Sequence, residues 1–174
     1  MCIRDSFKDH ANLFLNPFLE AELRTGETES YGAEFFLKYE GTKLSGWIGY
    51  TLSRTTRYFE TINEGIPYPA PFDRPHDLSL VTSYDINGRI VLAANWVYSS
   101  GIPITLPTGR FEVMNYILPV YTGRNEFRLP DYHRLDLSIT IKGKEKPNKK
   151  WHGDWNISLY NAYARKNVWT LNFV

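Results

Sequence analysis

A single cysteine, Cys2, removes the disulfide framework and any cysteine-based metal site from consideration. A formal net charge of +1 supplies no global field that would draw nucleic acid or an acidic partner. No apolar run approaches the roughly 18 residues of a membrane helix, and the mean hydropathy is −0.39. The first residues do not form a secretory leader: Arg4 and Asp5 interrupt Met1–Ser6, and no apolar stretch follows. The alternating runs over 31–53 do not show the apolar spacing at three and four residues that a helix needs. The chain also lacks GxSxG, P-loop and GxGxxG patterns. Its four histidines, His10, His76, His133 and His152, have no ligand spacing. Nothing here calls for a metal, a cofactor or catalysis.

Aromatic residues are abundant, at 16% with 12 Tyr and 5 Trp. They lie on runs that alternate strictly between apolar and polar, the period of a strand with two different faces. The clearest case is RPHDLSLVTSYDINGRIVLAANWVYSSG. Asn87-Gly88 between two such runs predicts a hairpin with a type I′ turn. Leu78, Leu80, Thr82, Tyr84 and Ile86 share a face, continued after the turn by Ile90, Leu92, Ala94, Trp96 and Tyr98. Asp77, Ser79, Val81, Ser83 and Asp85 point the other way, with Val91, Ala93, Asn95, Val97 and Ser99. Both strands have the ~9–11 residues that cross a bilayer when tilted.

Four further strands follow from the same pattern. One runs over Tyr31–Glu40. Another starts at Leu44 after the short turn 41–43 and ends at Ser53. A third is YHRLDLSITIK, with Leu135, Leu137, Ile139 and Ile141 on one face. The last is WNISLYNAY, with Trp155, Ile157, Leu159 and Tyr163 on the apolar side and Asn161 as its one polar exception. Residues 7–27 have no sustained period and read as part of a strand plus a loop. Prolines 67, 69, 71 and 75 mark 54–76 as a long loop, and prolines 103, 107, 119 and 130 mark 102–131 as another. Within the second, EVMNYILPVY is apolar enough for two short strands. The tail ARKNVWTLNFV reads as a loop start and the stub of a strand.

Short connections (41–43, 87–88, 143–150) alternate with long ones (54–76, 102–131), the signature of an up-and-down membrane barrel. The outward aromatics fall into two groups: Tyr31, Tyr50, Trp96, Tyr98 and Tyr163 near the long loops, and Tyr39, Tyr84 and Trp155 near the short turns. Phe35, Leu37, Ile48, Leu80, Leu92, Leu137, Ile139, Ile157 and Leu159 fill the band between. Tyr and Trp suit a headgroup interface and aliphatic residues the hydrocarbon. On the opposite face Glu34, Lys38, Asp77, Asp85, Arg134, Asp136 and Lys142 would be costly in a dry core but not in a wet lumen. A soluble β-sandwich that turns this charged face to solvent is the competing architecture.

Ordered segments carry a family resemblance: TGETESYGAEFFLKYEGTKLSGWIGYTLSRT, FDRPHDLSLVTSYDINGR, WVYSSGIPITLP, RNEFRLPDYHRLDLSITIKGK and WNISLYNAYARKNVWTLNF. Together, across most of residues 25–173, they resemble the C-terminal part of the β-barrel of TonB-dependent outer-membrane receptors of the Bacteroidota type. The resemblance implies an all-β, antiparallel transmembrane β-barrel fragment. About six strands of a barrel of about 22 are expected, with short periplasmic turns and long extracellular loops. It implies a place in the cell outer membrane among outer-membrane lipid, and energy from the inner-membrane TonB complex acting through an N-terminal plug region. The plug has no counterpart here, so residues 7–174 are expected to be a partial barrel truncated at both ends. MCIRDS matches a translated sequencing adapter, and residues 1–6 are set aside as an artefact. The implied activity is import of a scarce or bulky nutrient, such as a siderophore, vitamin, glycan or peptide, with a surface lipoprotein as a candidate partner. A passive porin-like channel and a soluble β-sandwich binding module are the alternatives.

Binding residues concentrate on loops held by a rigid scaffold. Arg54, Arg57, Tyr58, Tyr68, Arg110, Tyr116, Tyr121 and Arg124 are the candidates, because Tyr and Arg stack on and hydrogen-bond to sugars, peptides or chelates. Asp73 and Asp77, beside Arg74 and His76, are expected to belong to a charge network at the loop base rather than to an acid–base pair. The basic run KGKEKPNKK is read as a solvated turn whose cations could meet lipid phosphates.

Overall fold

A computed structural model of the chain describes residues 2–7, 23–113, 116–143 and 153–168. Among these residues the regular structure is strand, apart from one 3₁₀ turn at Asn63–Gly65, and every pairing for which the register is resolved is antiparallel. The strands are β1 (Cys2–Phe7), β2 (Leu23–Glu40), β3 (Leu44–Tyr58), β4 (Tyr68–Pro69), β5 (His76–Asp85), β6 (Ile90–Ser99), β7 (Pro103–Ile104), β8 (Gly109–Val113), β9 (Tyr116–Val120), β10 (Phe127–Arg128), β11 (Tyr132–Ile141) and β12 (Trp155–Leu159). The main sheet has the order β1-β2-β3-β5-β6-β11-β12, with β4 beside β3, and its path among the described residues is open. All six strands expected from the alternation are present. The short excursion expected at 112–121 is also there, as the β8–β9 hairpin.

The chain divides into two compact groups of residues. The first comprises 32–52, 75–101 and 130–174, and the sheet's two faces are clearest there. Register runs Ile48–Leu80–Trp96–Leu135 across four strands. The next aligned row on that face is Gly46–Thr82–Ala94–Leu137–Leu159, followed by Leu44–Tyr84–Leu92–Ile139–Ile157. Successive side chains of a strand point to opposite faces, so directly opposed residues share a face. These rows therefore form one continuous apolar surface, with Trp155 opposite Ile141 at one end and Tyr50, Leu78, Tyr98 and His133 aligned at the other. The opposite face is largely polar. Ser45 and Ser83 share a 2.9 Å hydrogen bond, Asn156 donates to Thr140 at 2.8 Å, and Arg134 pairs with Asp136 at 2.9 Å. Phe36 and Trp47 pack there as well, with centroids 5.9 Å apart. No large apolar side chain of this group is buried among the described residues; Leu80, Leu92, Leu137, Ile157 and Leu159 are all exposed.

The second group comprises 1–31, 53–74 and 102–129 and holds the buried apolar residues: Phe59, Ile62, Tyr68, Ala70 and Leu129. Phe59, 1% exposed, stacks on Tyr68 at 6.4 Å. Gly26 of β2 leaves the space that the Phe59 ring fills. A Cβ added there would lie 2.4 Å from the ring and 2.6 Å from the Tyr58 carbonyl.

Four local expectations need correction. First, β3 does not end at Ser53 but runs to Tyr58. Thr55 and Thr56 suit a strand, and β4 pairs with this extension as Thr56↔Pro69 and Arg57↔Tyr68. Proline is accepted because β4 is a two-residue edge. Second, the Asn87-Gly88 turn is not type I′, which needs positive φ at both residues. Only Gly88 has it, at 70°. The Asp85 carboxylate accepts the Gly88 N–H, and Asn87 Oδ1 accepts the N–H groups of Arg89 and Ile90, so side-chain acceptors shape a longer turn. Third, β12 stops at Leu159 instead of reaching Tyr163, because Asn161 adopts φ 53°. Fourth, β2 begins at Leu23 and not at Tyr31, and its first residues pair with β1 from Cys2↔Glu27 to Phe7↔Leu23. The loop part of 7–27, most of the basic turn and the final strand stub lie outside the described residues.

Phe59→Ala is expected to cost about 3–5 kcal/mol, by loss of a buried ring and the cavity left behind. Gly26→Ala should cost about 1–3 kcal/mol through overpacking against the same ring. Limited proteolysis of 53–74 and 102–129 reads both, as a shift of cleavage to lower denaturant.

Candidate functional site

The two long connections, expected to carry any binding residues, are folded and tied to each other. After β3 the chain turns at Ile62–Ile66, where Asn63 and Glu64 both have φ 56° and Gly65 has φ 72°. Asn63 Nδ2 donates to the Ile66 carbonyl at 3.1 Å, and its Oδ1 accepts the Arg124 N–H at 3.1 Å. In the second connection β7 pairs with β10 as Phe127↔Ile104 and Arg128↔Pro103. Asn125, at φ 57° and buried, donates from Nδ2 to the Pro69 carbonyl at 2.8 Å and from its N–H to Thr105 Oγ1 at 3.0 Å.

The strongest tie is ionic. Asp73 is 2% exposed. Its Oδ1 accepts the Thr55 N–H at 2.6 Å, its Oδ2 pairs with Arg128 Nη2, and its carbonyl accepts Arg128 Nη1 at 3.0 Å. A carboxylate taken out of water needs this set of partners, because an uncompensated buried charge is costly. A charge network at the loop base, as expected, therefore exists around Asp73, and it includes Arg128. His76 instead bonds Tyr50 Oη through Nδ1 at 2.8 Å, and Asp77 lies in the β5 ladder opposite Thr51 and Ser99.

The candidate residues are placed as follows. Arg54 is exposed on β3. Arg57 holds its guanidinium 5.4 Å from the Phe72 ring centroid, a cation–π geometry. Arg57 and Tyr58 line an open cleft of about 590 Å³ with Glu27, Thr28, Glu29, Thr56 and Pro67. Tyr58 and Glu27 also line an adjoining hollow of about 220 Å³ with Thr25, Gly26, Phe59 and Glu60. Tyr68 is 3% exposed and forms part of the core. Arg110 is exposed on β8 opposite Pro119, and Tyr121 is exposed just after β9. Arg124 is exposed and anchored through its backbone to Asn63. Tyr116 lies in β9 opposite Val113, and its side chain is outside what is described. Of the eight, Arg57 and Tyr58 share this cleft. With two carboxylates, a guanidinium, hydroxyls and an aromatic ring, that cleft offers hydrogen bonds of both polarities to a polar solute.

Asn63, Asn125 and Arg128, which hold the loops, are not among the eight sequence candidates. Asn63-Glu64-Gly65 and the Gly123-Arg124-Asn125 run carry recognisable turn chemistry. Arg128 carries no local signal, because its partner is 55 positions away.

In the sheet group a second carboxylate acts as a hub. Asp131, between the second long connection and β11, accepts from Tyr98 Oη at 2.7 Å and from the Gly101 N–H at 3.0 Å. Its carbonyl accepts Arg165 Nη2 at 3.0 Å. The Tyr98 hydrogen bond, then the Gly101 N–H, hold its carboxyl below the usual range.

Arg128→Ala should destabilise the loops by about 2–3 kcal/mol, less than the ~3–5 of a fully enclosed pair because Arg128 is partly solvated. Denaturant midpoints measured by loop proteolysis check this. Because folding lowers the Asp131 pKa, its contribution to stability is complete above the unfolded value of about 3.9 and is lost as pH falls through the lower folded value. Asp131→Asn should therefore flatten the acid limb of the thermal midpoint against pH while leaving neutral-to-alkaline behaviour parallel to the parent.

No family model, no curated protein and no solved structure matches this chain.

Proposed function

We propose that this chain is wall and loops of an outer-membrane β-barrel that imports a nutrient, of the TonB-dependent receptor type. The observation that carries the reading is the uncovered apolar face of β3, β5, β6, β11 and β12. A monomeric soluble protein rarely leaves a contiguous apolar surface of several strands open, whereas a membrane barrel requires one. The aliphatic rows sit between aromatic ends, with Trp155 and Tyr84 toward the short turns and Tyr50 and Tyr98 toward the long connections. The tyrosine heads at the second end are hydrogen-bonded, Tyr50 to His76 and Tyr98 to Asp131, as suits rings that lie between hydrocarbon and water.

The largely polar opposite face then lines the lumen, and the two tied connections lie outside the cell. In this reading solute recognition belongs to the loop group, with Arg57 and Tyr58 as the best-placed of the sequence candidates. Energy from an inner-membrane TonB complex and a surface lipoprotein partner belong to the same proposal and rest on the sequence resemblance alone.

Two measurements test it. Expressed with an export signal in the complete protein, the chain should fractionate with the outer membrane and need detergent for extraction. A monodisperse product in buffer without detergent would overturn the reading in favour of a soluble sandwich. Leu137→Arg should cost about 2–4 kcal/mol of barrel stability near mid-bilayer, while Ser138→Arg, on the polar face, should cost little. Equal losses at the two positions would rule out lipid on the Leu137 side.

A further inference from the structure

β11 is ten residues long and β12 only five. The last ladder pair between them is Leu137↔Leu159, which leaves Tyr132–Asp136 without a strand on that side among the described residues. Such an edge ordinarily offers unpaired N–H and C=O groups to any arriving strand. Here the segment that follows β12 occupies it. The Ala162 N–H donates to the Leu135 carbonyl at 2.6 Å. Two residues along the same edge, Asn167 makes both bonds of a missing strand residue. Its Oδ1 accepts the His133 N–H at 3.2 Å, and its Nδ2 donates to the His133 carbonyl at 3.0 Å. A primary carboxamide carries a donor and an acceptor side by side, as a peptide group does, so it can stand in for one.

The segment is held in place against its own backbone preference. Asn161 and Ala164 both have φ 53°, a region that costs free energy, more for Ala than for Asn, and persists only where the surroundings offset that cost. The fixing contacts are present. Asn161 Oδ1 accepts the Arg165 N–H at 3.1 Å and its Nδ2 donates to the Arg165 carbonyl at 3.0 Å, the same carboxamide substitution used again. Asp136 Oδ1 accepts the Asn161 N–H at 2.9 Å, while Asp136 Oδ2 is held by Arg134 Nε at 3.0 Å. Arg134 in turn lies over the Tyr160 ring, 4.2 Å from its centroid. Arg165 ties the far end to the Asp131 carbonyl, and Tyr163 Oη bonds His133 Nδ1 at 2.7 Å.

We infer that Tyr160–Val168 is an edge cap, a conformational device in which Asn161 ends β12 at Leu159 and Asn167 closes the upper edge of β11 to strand addition. A strand arriving on this side of the sheet can then pair with β12 but cannot reach His133 or Leu135, so the cap limits where the sheet can be extended. The cap does not depend on whether the apolar face meets lipid or protein.

Amide hydrogen exchange on the full chain in detergent micelles, read residue by residue by NMR, tests it. Asn167→Ala should speed exchange at His133 by about tenfold or more, the loss of one well-placed hydrogen bond, while β5 and β6 amides keep their protection and report an intact sheet. Asn161→Val, which removes the left-handed residue and favours a strand, should move the Cα shifts of 160–163 to strand values. Unchanged exchange at His133 in the first variant, or an unchanged strand end in the second, would overturn the edge cap.

Discussion

Everything in the sheet depends on one geometric constraint, the unbroken register from β3 through β5 and β6 to β11. A slip of one residue at any of these pairings would carry a whole strand's apolar set to the opposite face. Ile48–Leu80–Trp96–Leu135 stays aligned across four strands because no bulge interrupts the ladders between them. The same alignment sets Ser45 beside Ser83 and places Asn95 in the row with Asp136 on the polar side. The result is a surface sorted by polarity, with no large apolar side chain of this group buried among the described residues. Its apolar side is left open over several strands, and the bilayer proposed to cover it is the partner that would suit aromatic ends and an aliphatic middle.

The loop group follows a different logic. It has few buried apolar side chains, so polar ties hold it: Asp73 with Arg128, Asn125 with Pro69, and Asn63 with Arg124. Each tie joins the connection after β3 to the connection after β6. Left-handed asparagines recur at these joints, because Asn tolerates positive φ and its carboxamide can bond nearby backbone. Phe59 in the space over Gly26 adds the apolar anchor that the polar ties lack.

Six strands were legible in the sequence, apart from the Leu23–Ser30 start of β2, because period-two alternation is local and survives without knowledge of neighbours. The β8–β9 hairpin was legible for the same reason. The extension of β3 over Arg54–Tyr58 was not, since Arg-Thr-Thr-Arg has no apolar alternation and is held in strand form by β4 and by Asp73. The two-residue pairs β4, β7 and β10 have no period at all and exist through tertiary contacts. The end of β12 had a visible clue in Asn161, the lone polar residue of its outward series, but its meaning lay in Asp136 and Arg165. At the candidate site the residue types were readable and the convergence was not. Arg57 and Tyr58 share a cleft because β3 continues, whereas Tyr68 pairs with the same strand and is buried by Phe59.

The ties between the long connections also decide where this surface can vary. Asp73 and Arg128 bind the roots of the two segments, so a change of length in either root would pull the other out of place. The β8–β9 hairpin lies outside these ties, closed by Thr108 N–H to the Val120 carbonyl at 2.8 Å. Added or deleted residues at its tip would cost little more than loop-closure entropy. Diversification is therefore channelled: the hairpin tip can lengthen freely, while the segment carrying Asn125 and Arg128 and the one carrying Asn63 and Asp73 must change together.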